Sequence, residues 1–192
     1  MAELKDKFWL DAEKAALVVI DVQEKLVPAM NQDLYNQLIL HVNLLIEGFK
    51  VLDLPIIATE QYSKGLGHTV AELSGATDQY CIEKMAFSCC GDADFTAALE
   101  KSGAKQVLIV GMESHVCVLQ TVLDLLDRGY VVHLVSDAIS SRFKSDYENA
   151  IRTAAQAGAV ITTTETALFQ LVKVAGTAEF KVVSKLVRQR TA

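Results

Sequence analysis

Val107-Leu-Ile-Val-Gly-Met-Glu-Ser-His-Val-Cys117 is the stretch on which the reading of this chain turns. A short, branched, apolar run stops at Gly111, and six residues later a cysteine stands where a helix should be starting. The run reads as a fully buried strand, and the residues after Ser114 read as a buried helix with Ser114 as its cap. A thiol in the first turn of a helix meets unpaired backbone N–H groups and the positive end of the helix dipole. Both favour thiolate over thiol, which is one way to make a nucleophile.

Outward from this stretch the pattern is alternation. Leu17–Ile20 reads as a strand ending at Asp21. Leu34, Leu38, Val42, Leu45, Phe49 and Leu52 follow a helical period over 31–52. Pro55–Thr59 is a second strand. The segment 60–79, with Gly65, Gly67 and Gly75, reads as an irregular excursion. Tyr80–Ile82 is a short third strand delivering Lys84, and Asp92 caps a helix running to Ser102. Beyond the opening stretch come a strand at Tyr130–Val135, a helix at Ser145–Ala157, a strand at Ala159–Thr163 and a helix at Thr166–Val174. Unbroken apolar strands alternating with helices predict a parallel sheet covered on both faces. The expected architecture is an α/β/α sandwich around an open, doubly wound sheet of about six strands, with residues 1–192 as one domain.

Composition narrows the function. The chain has 192 residues, 51% of them hydrophobic, and a formal net charge of −6. An acidic chain with no Lys/Arg cluster is a poor partner for nucleic acid or an anionic membrane surface. No targeting or transmembrane segment is visible, so a cytoplasmic protein acting on a small molecule is expected. The cysteines at 81, 89, 90 and 117 form no CxxC, and 81, 89 and 90 read as small buried hydrophobes.

In an open sheet of this kind ligands sit beyond the carboxyl ends of the strands. That rule singles out Asp21, Glu60, Lys84, Glu113 to Cys117, and Asp137. In the order 3-2-1-4-5-6, strands one and four are neighbours, so Asp21 and Cys117 would face one another. A carboxylate within reach of the thiol accepts its proton and returns it to a leaving amine. A lysine beside both holds the charges in place, and N–H groups at the helix start hold an oxyanion. Taken singly each residue has a plainer reading: Cys117 as a core cysteine, Asp21 as a strand-end cap, Lys84 as a solvated side chain. Their joint placement at three strand ends favours a cysteine hydrolase.

Other candidates are weaker. The histidines at 41, 68, 115 and 133 lack paired ligand spacing, and His41 and His133 read as structural. Gly111-Met-Glu-Ser-His is not a GxSxG elbow, and Gly65-Leu-Gly67 is too short for a phosphate loop. Asp137 and Ser140-Ser141-Arg142 read as a turn and helix cap after a strand.

Ala-Leu-Val-Val-Ile-Asp21-Val-Gln, Glu83-Lys84-x-x-Phe87-Ser88 and Val-Gly111-Met-Glu-Ser-His-Val-Cys117-Val-x-x-Thr121 together resemble the three signatures of the isochorismatase-like cysteine hydrolases. The likeness extends over about residues 14 to 170 and points to the small isochorismatase-domain, YcaC-related subgroup. It implies catalytic Asp21, Lys84 and Cys117. It also implies a cis peptide at Met112–Glu113 and an oxyanion hole from the N–H groups of Glu113 and Cys117. Glu60, Gln61, Phe87, Glu113 and His115 are the expected pocket residues.

The departures carry weight too. Nicotinamidases of the family place an Asp–His–His metal motif after the second strand, where this chain has Thr59-Glu-Gln-Tyr-Ser. No metal and no cofactor are therefore expected. Isochorismatases proper cleave a vinyl ether and lack the cysteine. Some eukaryotic relatives carry a ribonuclease label, which the acidic charge does not support. Homo-oligomers are common in the family, so self-association is expected. A non-catalytic binding module is the alternative, with an apolar tail (Phe180, Val182, Val183, Leu186, Val187) packing on a partner subunit. A nitrilase-type Glu–Lys–Cys enzyme would need many antiparallel strands, and the alternation speaks against it.

Overall fold

The computed structural model describes residues 4–190. In chain order the elements are α1 (Leu4–Phe8), β1 (Ala15–Ile20), α2 (Gln32–Val51), β2 (Ile56–Gln61), α3 (Ser63–Leu66), β3 (Cys81–Lys84), α4 (Ala93–Ser102), β4 (Gln106–Met112), α5 (Leu119–Asp127), β5 (Val131–Ser140), α6 (Lys144–Ala157), β6 (Val160–Thr162), α7 (Thr164–Val172) and α8 (Ala178–Val187). The six strands form one sheet in the order β3-β2-β1-β4-β5-β6, and every neighbouring pair is parallel. This is the expected doubly wound sandwich.

Alternation along β1 assigns the layers. Leu17 and Val19 pack with α2, α7 and α8, whereas Ala16, Val18 and Ile20 pack with α4, α5 and α6. With both faces covered, an all-apolar strand is the stable solution. Local chemistry sets the helix ends. The Asn31 side chain accepts from Asp33 N–H and Leu34 N–H to open α2, and Asp92 does the same for α4.

Several boundaries differ from the sequence reading, and each difference has a physical cause. β4 does not stop at Gly111 but runs to Met112. Gly111 has φ +117, and a Cβ there would lie 2.7 Å from the Ile20 backbone nitrogen. The glycine permits close strand approach instead of ending the strand. The Met112–Glu113 peptide that follows is cis.

Ser114 is not a helix cap. Its hydroxyl is buried without a hydrogen-bond partner among the described residues, and the chain enters a π-helical turn, Ser114–Val118, before α5. Asp137 and Ser140 lie within β5, Asp137 inside the stretch where the register shifts against β4 and Ser140 beyond it. Asp137 is no turn residue; its Oδ1 accepts from Thr164 N–H and Oγ1–H at the start of α7, at 2.8 and 2.9 Å. Glu60 and Gln61 complete β2, and Lys84 is the last residue of β3. The tail folds back as α8, where Val183 and Val187 are buried in the chain's own core. That removes them from any partner surface.

Candidate active site

β1, β3 and β4 deliver Asp21, Lys84 and Cys117 to the same end of the sheet, beyond the strands' carboxyl termini. Asp21 leaves β1 with φ +50, a left-handed conformation that aspartate tolerates better than most residues. Its Oδ2 accepts from Lys84 Nζ at 2.7 Å, and its Oδ1 accepts from the Thr59 hydroxyl at 2.7 Å.

The Lys84 ammonium is fully enclosed. Besides Asp21, it donates to Gln61 Oε1 at 2.8 Å and to the carbonyls of Phe87 and Ala86 at 3.0 and 3.2 Å. Four acceptors around three protons satisfy a buried cation. Burial pulls the ammonium down, but the facing Asp21 carboxylate, through its charge and its hydrogen bond, opposes this, and Lys84 is held above the ordinary lysine range.

Cys117 sits in the π turn, 7% exposed, close enough to Asp21 and Lys84 for both charges to act on it. Here the sequence expectation is reversed. Burial, followed by the Asp21 carboxylate, pushes the thiol well above the usual cysteine range, and Lys84 opposes them only in part. The resting residue is therefore a thiol, because desolvation and a facing anion outweigh the helix-start field.

The expected pocket residues scatter. The Glu60 carboxylate is engaged by Thr69 N–H (2.6 Å), Thr69 Oγ1–H (2.9 Å) and His68 Nδ1 (3.0 Å). Burial raises it, yet these donors hold it below the usual glutamate range. Gln61 braces Lys84 through Oε1, and its Nε2 donates to Met85 O. Phe87 offers its carbonyl to Lys84 and leaves its side chain half exposed. Glu113 Oε1 accepts from Arg142 N–H and Nε–H, at 3.2 and 2.9 Å, which ties the turn after β4 to the end of β5. His115 Nδ1 lies 3.1 Å from Ser141 Oγ. A cavity of about 240 Å³ bounded by Leu34, Ile139, Ser140 and Tyr147 is lined by none of Asp21, Lys84 or Cys117.

Sequence reasoning gave the supporting residues no role, although Thr121 stands in the third signature. Thr59 pairs in register with Ile20, so its place beside Asp21 follows from strand neighbours. Gln23 accepts from Gln61 N–H and donates to the Gln61 and Gly67 carbonyls, and no local pattern announces that role. Thr121 Oγ1 donates to Cys117 O and accepts from Cys89 N–H. Its spacing of four residues from the cysteine was a signal in plain view.

Residues 15–166 match the sequence model of the Isochorismatase domain. The chain belongs to the isochorismatase family. Among isochorismatase relatives, the secreted isochorismatase effector Isc1 of Phytophthora sojae is 41% identical over 183 residues, spanning 91% of this chain and 85% of that protein. The solved MAR1 ribonuclease of Caenorhabditis elegans is 40% identical, covering 94% and 92% of the two chains with a TM-score of 0.87. The YcaC gene product of Escherichia coli, described as an octameric hydrolase of unknown specificity, is 25% identical with a TM-score of 0.84 over 93% and 90%. Isochorismatase-family proteins are generally hydrolases, and the fold here is that of the family. Among the described residues, no group of three or more His, Cys, Asp or Glu side chains could hold a metal ion, and no helix is long and apolar enough to cross a membrane.

Proposed function

We propose that the protein is a metal-independent cysteine hydrolase of small amides or related acyl compounds, with Cys117 as nucleophile, Asp21 as proton carrier and Lys84 as fixed cation. The observation that carries this reading is the fully buried Asp21–Lys84 pair acting on a buried thiol at the meeting of three strand ends. Buried charges of this kind are costly, and their concentration beside a nucleophile is typical of active sites.

The resting thiol sets the order of events. As Cys117 Sγ attacks the carbonyl carbon, its proton passes to Asp21. The backbone N–H groups of Glu113 and Cys117 receive the developing oxyanion. Collapse breaks the C–N bond, and the amine leaves with the proton from Asp21. Water then attacks the thioester, giving a proton to Asp21. The second collapse releases the acid and returns that proton to Sγ. Lys84 carries no proton in either half; it keeps the carboxylate in place. Glu113, anchored by Arg142, and His115 border the substrate. The acidic charge favours a small molecule over nucleic acid as the substrate, and the octameric YcaC relative supports a homo-oligomer.

A panel of small amides, ureas and carbamoyl compounds, assayed with wild type and Cys117→Ala, tests the reading. The expected result is turnover of at least one compound that disappears in Cys117→Ala while the circular dichroism spectrum is unchanged. Turnover that survives the substitution would overturn it.

A further inference from the structure

Resting on the reading of Asp21 as the base, we infer that Thr59 is a positioning residue whose hydroxyl, aimed by the Cys89 thiol behind it, locks the base in its working orientation. Thr59 ends no motif and touches no solvent; it is 1% exposed. Its Oγ1–H donates to Asp21 Oδ1 at 2.7 Å while Lys84 holds Oδ2 at 2.7 Å. Asp21 N–H also donates to Thr59 O at 3.1 Å, so backbone and side chain of the two residues are joined separately. A carboxylate torsion is intrinsically broad. One donor on each oxygen removes that freedom and leaves the remaining lone pairs for the thiol.

Cys89 explains why the Thr59 proton points the right way. Its Sγ lies 3.7 Å from Thr59 Oγ1. Burial, with Asp21 adding to it and Lys84 opposing, pushes the Cys89 thiol up to about 12. Cys89 is therefore a donor at neutral pH, Thr59 Oγ1 accepts from it, and the single hydroxyl proton of Thr59 is left for Asp21. The titratable groups facing Asp21 are Lys84 from β3, Cys89 from the turn Cys89–Gly91 and Cys117 from the turn before α5. This makes Cys89 an orienting group and not a second nucleophile.

The test is the pH profile of the pre-steady-state burst with p-nitrophenyl acetate, using Cys117→Ala as the blank. Wild type should show a burst that falls off on the acid side, and Asp21→Asn, which lacks the proton carrier, should lose the burst. Thr59→Val should keep it, with the acid limb moved up by about one pH unit and the plateau lowered about tenfold, because a carboxylate that loses a donor holds its proton more tightly. Thr59→Ser should restore the wild-type profile, and Cys89→Ala should move the limb in the same direction by less. No burst in wild type, or an undiminished burst in Asp21→Asn, would overturn the base and this inference with it. A lost burst in Asp21→Asn beside a wild-type profile in Thr59→Val overturns the Thr59 assignment alone. Should Thr59→Val fold poorly by thermal melting, Thr59→Ala serves in its place under the same criteria.

Discussion

Lys84 Nζ stands 2.7 Å from Asp21 Oδ2, and neither side chain exposes more than 1% of its surface. Removing one partner leaves a buried, uncompensated charge, and such losses cost about 3–5 kcal/mol. Lys84→Met should therefore destabilise the chain by that amount in urea unfolding. Lys84→Met combined with Asp21→Asn should recover more than half of it, since no charge is then left behind. The pair also sets an alkaline limit. The Lys84 ammonium is raised in the folded chain, so its contribution is present in full at neutral pH. It is lost only as pH rises from the unfolded lysine value, about 10.4, through the folded one. A double variant whose stability equals the sum of the two single losses would show that the residues are not coupled.

Gly111 makes a sharper prediction about the backbone. Its φ of +117 disfavours any side chain, and a Cβ would overlap the Ile20 backbone. Rigid strand atoms cannot move aside, so Gly111→Ala should cost more than about 3 kcal/mol or abolish soluble expression. The neighbouring Val110→Ala, which only removes buried methyl groups, should cost about 2 kcal/mol. Equal melting temperatures for Gly111→Ala and wild type would mean that the close approach of β1 and β4 is not required.

The C-terminal segment should behave as part of the chain's own core. Val183 is 0% exposed, and Arg190 Nη1 reaches Glu165 Oε2 at 2.6 Å. Val183→Ala should lose about 2 kcal/mol through buried methyl groups. Arg190→Ala should lose about 1 kcal/mol or less, because the ion pair is partly solvated and screened. Denaturant melts at low and high salt separate the two: the Arg190 effect should shrink with salt and the Val183 effect should not. If Val183→Ala left stability unchanged and altered only the sedimentation coefficient, α8 would belong to an intersubunit contact instead.

The layers and strand order were legible because their cause is local and periodic. Leu17–Ile20 and Val107–Val110 are apolar on both faces, and that pattern fits only a covered parallel sheet. The strand-end rule then brought Asp21, Lys84 and Cys117 together without any contact being known. What stayed hidden depends on register and packing. Gly111 looks like a strand terminator, because nothing in the one-dimensional pattern tells a glycine that ends a strand from one that lets a neighbour approach. The protonated state of Cys117 was misread for a related reason. The helix-start field is visible in sequence, while the desolvation that outweighs it comes from residues brought in by the fold. Gln61 read as a pocket residue, and its hydrogen bond to Lys84 was not visible, because that contact needs the parallel pairing of Gln61 with Lys84.

His133 lies within β5 with 0% exposure, and burial pulls its imidazole down to about 4 against a smaller opposing effect of the Lys7 backbone. The unfolded chain, with a histidine value near 6.5, binds a proton in a range where the folded chain does not. Between about pH 6.5 and 4 the unfolded state thus takes up more protons, and stability falls as pH falls. The shift corresponds to at most about 3 kcal/mol lost across that window. His133→Leu fills the site with an apolar side chain that cannot charge. Its stability at pH 7.5 should equal or exceed that of wild type, and the slope of unfolding free energy between pH 6.5 and 4 should flatten. Chemical denaturation at half-unit pH steps measures both. An unchanged slope in His133→Leu would assign the acid sensitivity to the carboxylates instead.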